Sequence, residues 1–500
     1  MSNQKKTICI IGCGMAGGIV ALELLKKKYN IIIIDSDRLQ KSYKKIGPYK
    51  KFNFFNSGKS INKSRGFGYG GSSNLWHGVV TELEKSDLNK IDKIADFKIS
   101  KSLIKNYPKA YSYFDINFNF IKNIKNKIIY NNLYKILLKS NIFLSKFIFV
   151  QRQPLRIRKK ILDLKNKYSE INVIENAVAI SLKEEKLNKG HVEFVEIAIG
   201  KKIIKIYADI FIICCGSIET PRLLLQSIYE NKLNIKNNNI GKNIIDHPYS
   251  IIGELKSNKS FYLKYFDVLL SIFYRKFKFR LAFSLRDVNH RNHCIVFKPK
   301  YSKSYIFFKN NLKKIMLFRS DFLQFIINVF KKVNLFNIFY MLIYLLYEKL
   351  NLGSPYCKSS EIFCYLDQSP HKDSFVKLSK KIINYRILPI VKWVINKKDL
   401  DNLKKINIYL TDIFQNNNLF FYKKNSFFAQ SISTGSHHAG TMRISKNSIN
   451  GVVDHNLKMH GLKNIYICDN SIFPFYGNSN PSFTLVAFAL RLSNYLNNIK

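Results

Sequence analysis

Short apolar runs, each stopped by a polar residue or a glycine, mark both ends of this chain. Thr7–Gly12 is continuous and apolar, the pattern of a strand buried on both faces of a parallel sheet. Ala16–Leu25 follows with helical character, and Lys26–Lys28 put positive charge at its negative C-terminal end. Asn30-Ile-Ile-Ile-Ile-Asp35 is a second buried strand, so the chain opens as a βαβ unit. Ile171–Val178 and Lys202–Ile213 predict further strands, the latter running into Cys214-Cys215-Gly216, where a turn and helix begin. Residues 250–430 are aromatic and strand-rich, with helical patterns near 312–350 and 397–416. The final segment returns to the opening style, with Asn464–Asp469 a buried strand ending in a carboxylate. No internal repeat and no linker divides these stretches. The pattern predicts an α/β fold of two lobes interleaved in sequence.

Composition changes this picture little. Five hundred residues exceed one hydrophobic core, and 46% apolar residues with 14% aromatics suffice to fill two. The formal charge of +49 raises nucleic acid or anionic lipid as partners. Lys, Asn and Ile rise together, however, as they do under A/T-rich coding, and the lysines are scattered without an Arg-rich block or interleaved stacking aromatics. No nucleic-acid partner is expected. The eight cysteines, at 9, 13, 214, 215, 294, 357, 364 and 468, form no Cys-x-x-Cys pair, so neither a disulfide framework nor a metal site is predicted. The first strand starts too early for a signal peptide, which predicts a cytoplasmic protein. No stretch reaches the roughly 20 apolar residues that span a bilayer. Val333–Tyr347 comes nearest. It reads as a buried helix of the second lobe or, given the flanking Lys331, Lys332 and Lys349, as a helix resting on a membrane surface, which leaves peripheral membrane contact open.

Candidate chemistry sits at the two ends. Gly12-Cys13-Gly14-Met15-Ala16-Gly17 is a Gly-x-Gly-x-x-Gly turn between strand and helix. Gly12 permits the tight turn, Gly14 lets a pyrophosphate reach the backbone and the helix N-terminus, and Gly17 lets helix and strand pack closely. Asp35 closes the second strand where an acid bonds ribose hydroxyls. This predicts a dinucleotide site without separating FAD from NAD. The loop Gly70–Gly78, with Gly71, Ser72 and Asn74, can bring backbone amides to a flavin or its phosphates, or form a plain surface turn. Near the C-terminus, His437 in Ser436-His-His-Ala-Gly-Thr441 could act as a base, and Asn480 before Pro481 could act beside it.

Together these blocks resemble the glucose–methanol–choline (GMC) oxidoreductases, FAD-dependent enzymes that oxidise alcohols. Five blocks match in order: the N-terminal fingerprint, Gly70–Gly78, Cys215–Leu225 with its Gly-Ser-Ile-Glu-Thr-Pro-Arg core, Ile240–Pro248, and His437–Arg491. A weaker sixth is Asp367–Ser374 with Leu378-Ser379. The likeness is poor over about 85–150 and 260–350. It implies an FAD lobe from residues 1–80, 151–255 and 431–500, and a substrate lobe from 81–150 and 256–430 built on an antiparallel sheet with helices on one face.

By position, the resemblance implies that His437 is the active-site base, with His438 its competitor, and that Asn480 is the second catalytic residue. It places Gly12, Gly14, Met15, Ala16, Gly17, Asp35, Gly71, Ser72, Asn74, Val178, Asp469, Asn480 and Pro481 around the cofactor. The position that tethers FAD covalently in some relatives is Leu75 here, with His77 two places on, so noncovalent FAD is expected. Asp246-His247-Pro248 is expected to be a turn at the lobe boundary. Where the family continues Arg-Met-Gly after Gly-Thr, this chain has Met442-Arg443-Ile444-Ser445.

The implied reaction moves a CH–OH hydrogen to flavin N5 as hydride while histidine takes the hydroxyl proton, and asparagine steadies the substrate oxygen. The substrate would be a small alcohol or sugar, and the electron acceptor is left open. A non-redox lyase on the same fold and a membrane-surface binding protein without catalysis are the alternatives.

Overall fold

The structure is a computed structural model and describes residues 5–26, 29–36, 66, 68–119, 132–151, 153–261, 277–287, 291–300, 357–415, 417–425 and 432–499. The helical patterns near 312–350, including Val333–Tyr347, lie outside the described residues. No described helix is long and apolar enough to cross a membrane.

The apolar runs assemble into a five-stranded parallel sheet. Its strands are β1 (Thr7–Ile11), β2 (Asn30–Ile34), β3 (Ile171–Ile174), β4 (Ile210–Ile213) and β5 (Ile465–Ile467), in the order β5-β4-β1-β2-β3. Residues in register, such as Cys9 with Ile32 and Ile8 with Ile210, run parallel throughout. Helix α1 (Met15–Leu24) packs against the sheet and α3 (Pro481–Asn498) packs on α1, while α2 (Gly216–Tyr229), which follows β4, packs on Ala177–Glu184. Successive residues of β1 and β4, which point to opposite faces, are alike buried, which is why both strands are apolar without alternation.

Two predicted strands are each divided in the structure. Ile171–Val178 breaks at Glu175-Asn176, where Asn176 takes φ +56°, into β3 and Ala177–Glu184. Lys202–Ile213 breaks at Ala208-Asp209, where Asp209 Oδ2 accepts the Thr7 N–H at 2.7 Å, into Lys202–Tyr207 and β4. The detached halves join Val192–Ile199 in a three-stranded antiparallel sheet beside the parallel one. Continuous hydropathy hides such a corner because both halves are apolar.

The second lobe is an antiparallel sheet of Phe420–Lys424, Pro248–Phe261, Cys357–Tyr365, Asn292–Pro299, Phe277–Arg286, Phe143–Gln151 and Val79–Val80, in that order, with Ser433–Thr434 added beside Pro248–Phe261. One face packs under the helix Lys397–Gln415, whose Leu403, Ile406, Leu410 and Phe414 recur at helical spacing against Ile252, Phe283 and Ile362. The other face carries Ile148, Ala282, Cys294 and Val296. Lys146 lies on it too, by the two-residue alternation of a strand.

Candidate functional site

A cavity of about 420 Å³ begins at the C-terminal ends of β1 and β4. Chain order diverges there, because β1 lies between β2 and β4, and such a switch point is where parallel sheets take ligands. Gly12 turns the chain out of β1 with φ +96°, and its N–H donates to Ile34 O at 2.9 Å. A Cβ on Gly17 would stand 2.1 Å from Gly12 O, so α1 can approach the turn this closely only with glycine there. A Cβ on Gly14 would meet no protein atom within 4 Å. The backbone at Gly14 therefore faces open space at the N-terminus of α1, the arrangement a pyrophosphate requires.

These two glycines predict opposite outcomes. Gly17→Ala is expected to lower the melting temperature of flavin-free protein. Gly14→Ala should leave that temperature unchanged while weakening FAD binding, read by flavin fluorescence quenching. Equal melting and equal affinity in both variants would count against the cradle.

Around the cradle, Met15, Ala16, Asp35, Gly71, Ser72 and Val178 line the cavity. Asp35 is held by the Cys13 N–H, which donates to its Oδ2 at 2.7 Å. The Gly70–Gly78 loop folds over the turn, with Gly70 N–H donating to Cys13 O at 2.7 Å. Asn74 is placed differently: its side-chain amide donates to Tyr69 O at 2.7 Å, and it is not among the lining residues. Gly17, consistent with its packing position, is not among them either. Leu75 and His77 both line the cavity. Asp469 lines it and caps its own turn from Ser471. It also accepts from Gly216 N at 2.9 Å and Thr220 Oγ1 at 2.5 Å, tying the end of β5 to the start of α2.

The same cavity extends to His437, His438, Asn480 and Pro481. Asn480 occupies the N-cap of α3, with Pro481 as the first helical residue, yet its side chain makes no capping bond. Its Nδ2 lies 3.3 Å from His437 Nε2 instead. Burial, reinforced by His247 and other histidines, pushes the His437 pKa down to about 3 against the opposing pull of Asp246. The ring is thus neutral at physiological pH, as a proton acceptor must be.

Asp246, expected to sit in a turn, instead organises this end of the site. It is 1% exposed. Its Oδ1 accepts from the backbone N–H of His247 (2.6 Å) and His437 (2.9 Å). Its Oδ2 accepts from Thr434 Oγ1 and pairs with His438 Nδ1 at 2.9 Å. Burial alone would raise this carboxyl, but His438, His437 and Thr434 hold it well below the usual carboxylate range. His247 Nε2 meets Gly477 O at 2.8 Å, and Pro248 begins a strand. The second group missed in the sequence is Lys146. Its buried ammonium bonds Asn478 Oδ1 and, at 2.7 Å, Ser479 Oγ, directly before Asn480. No local signal marks either residue, because every side-chain partner is distant in sequence. Among the described residues, no group of His, Cys, Asp and Glu could hold a metal ion.

Residues 370–489 match the family model described as GMC oxidoreductase. The whole chain is similar in fold to pyridoxine 4-oxidase from Mesorbium loti, with TM-score 0.62 and 14% identity over 99% of this chain and 100% of that one. Two variants of Aspergillus oryzae RIB40 formate oxidase, made to study FAD modification, are also similar. Their TM-scores are 0.57 and 0.55 at 15% and 14% identity, covering 99% of both chains. At these identities the likeness is one of fold. A search of curated proteins gives no match.

Proposed function

We propose that the chain is a GMC oxidoreductase, as the match over residues 370–489 supports, and that it is an FAD-dependent enzyme oxidising a small alcohol or sugar hydroxyl, with His437 as base and Asn480 as its partner. One observation carries the reading. A single cavity joins the open cradle at Gly14 to the His437–Asn480 pair, so a cofactor on the first would reach toward the second. FAD, when bound, supplies the acceptor for the carbon-bound hydrogen and its electron pair. The chain's own groups do the rest. A hydroxyl placed between His437 and Asn480 gives its proton to Nε2 and accepts the Asn480 amide N–H as negative charge develops. Burial keeps the imidazole neutral and ready to receive that proton.

The cofactor-binding set is Gly12, Gly14, Met15, Ala16, Asp35, Gly71, Ser72, Val178, Asp469, Asn480 and Pro481, with Gly17 acting through the close packing of α1 on the turn. Asn74 acts indirectly by fixing the loop through Tyr69. The segment division 1–80, 151–255 and 431–500 for the FAD lobe belongs to the same proposal. Binding is noncovalent, since the apolar Leu75 offers no atom for a tether.

An anaerobic absorbance titration with a panel of alcohols and sugars tests the reading. Flavin bands should bleach with one compound class, and acid precipitation should then release all flavin into the supernatant. Bound flavin that no compound reduces would favour non-redox chemistry. A yellow pellet would overturn the noncovalent assignment.

A further inference from the structure

Residues 435–438 line the first cavity, and a few residues on, Gly440, Arg443 and Ile444 line a second of about 370 Å³. Arg291 and Lys90 reach it from two other segments, and Asp367 is the one carboxylate among its lining residues. The charges there do not balance. Arg443 is half-buried. Its Nη2 donates to Asn239 Oδ1 at 2.7 Å, and its Nη1 is buried with no partner. Arg291 spends Nη1 on a backbone carbonyl, that of Asp367, at 3.1 Å. Among the described residues neither guanidinium has a carboxylate within 4 Å, whereas Lys90 is paired with Asp87 at 3.3 Å. Asp367 alone cannot balance both guanidiniums. Burial and the repulsion of Asp87 push its pKa up to about 6 against the pull of Arg291, so it carries one negative charge at neutral pH, and its Oδ1 already accepts the Gly477 N–H.

A desolvated guanidinium bonded only to neutral acceptors is costly unless something anionic joins it. The guanidinium fork matches the two oxygens of a carboxylate or phosphate. General basicity does not account for the pair, because only 14 of the 82 basic residues are arginines and two of them stand here with no carboxylate within 4 Å among the described residues. The cavity is of a size that encloses a small metabolite rather than a bare ion. We propose that this second cavity is a binding site for a small molecule bearing an oxyanion, a carboxylate or a phosphate group, with Arg443 and Arg291 as its ligands. It is separate from the cofactor cavity and does not depend on the reaction assigned there.

Protein saturated with FAD, so that the first cavity cannot take up phosphate, is titrated with inorganic phosphate and separately with benzoate. Chloride keeps the ionic strength constant. Calorimetry should show saturable binding of at least one of the two probes. Phosphate alone would identify the phosphoryl source, and benzoate alone the carboxylate. Arg443→Met should weaken that binding by about tenfold or more, and Arg291→Met should weaken it in the same direction. If Arg443→Met does not fold, Arg443→Lys and Arg291→Met decide the matter by the same criterion. Heat that never saturates, or affinity unchanged in the variants that fold, would overturn the site.

Discussion

His437→Ala is expected to keep its flavin and lose its reaction. The side chain lines the cavity but is not part of the Gly14 cradle, so the flavin spectrum and FAD affinity should stay near those of the parent. The rate of anaerobic bleaching by a substrate alcohol should fall by about 10²–10⁴, the usual worth of a positioned general base. The parent's pH profile gives an independent reading. A base works when unprotonated, so the rate is retained above its pKa and lost as pH falls through it. With His437 pushed down to about 3, bleaching should stay level from neutral pH into the acid range, without the inflection near 6.5 that an ordinary histidine would show. His438→Ala is the necessary comparison. His438 is engaged through Nδ1 with Asp246, so its removal should disturb stability more than chemistry. An inflection near pH 6.5 that disappears in His438→Ala would transfer the role of base to that residue.

Asp246→Asn should be strongly destabilising although it is isosteric. The carboxylate accepts four hydrogen bonds at a position without solvent, from His247, His437, Thr434 and His438. An amide can accept at one atom only, and its NH₂ would confront the Thr434 hydroxyl and whichever proton His438 holds on Nδ1. Removing one member of such a buried set costs about 3 kcal/mol or more. Because the folded carboxyl lies below its unfolded value, its contribution is fully present above the ordinary carboxylate range and is lost as pH falls through the folded value. Thermal melts of parent and variant should therefore differ most near neutral pH and converge in strong acid. Equal melting temperatures at pH 7 would show that the network adds nothing. Because Asp246 also holds the His437 backbone, any folded variant should turn over more slowly.

Local chemistry was legible in the sequence wherever it was written in consecutive residues. The Gly12–Gly17 turn and the apolar runs that became β1, β2 and β5 are written within a few positions, and His437 and Asn480, singled out by the resemblance, stand together in one cavity. The parallel sheet and the antiparallel lobe follow the predicted α/β class. What the chain did not disclose depends on partners far away. Asp246 looks like turn chemistry beside His247-Pro248, and only folding brings it to residues some 190 positions later. Lys146 lies among many lysines, and nothing local separates the one buried at 7% exposure from those in solvent. Asn74 shows the reverse error: a polar residue in a promising loop whose side chain is used up on a neighbouring carbonyl.

The order of strands also bears on how the protein is made. β4 pairs with β1 on one side and β5 on the other, so this side of the parallel sheet waits for residues 465–467. Until they leave the ribosome, β4 presents a bare edge, and the surface of α1 that α3 later covers stays open. The parallel-sheet lobe cannot close from an N-terminal fragment, because its edge strand and the helix bearing Asn480 at its cap are completed last. A stalled or truncated chain would thus expose apolar strand edges rather than a folded half. The cell must shelter nearly the whole polypeptide before any of it is safe from aggregation.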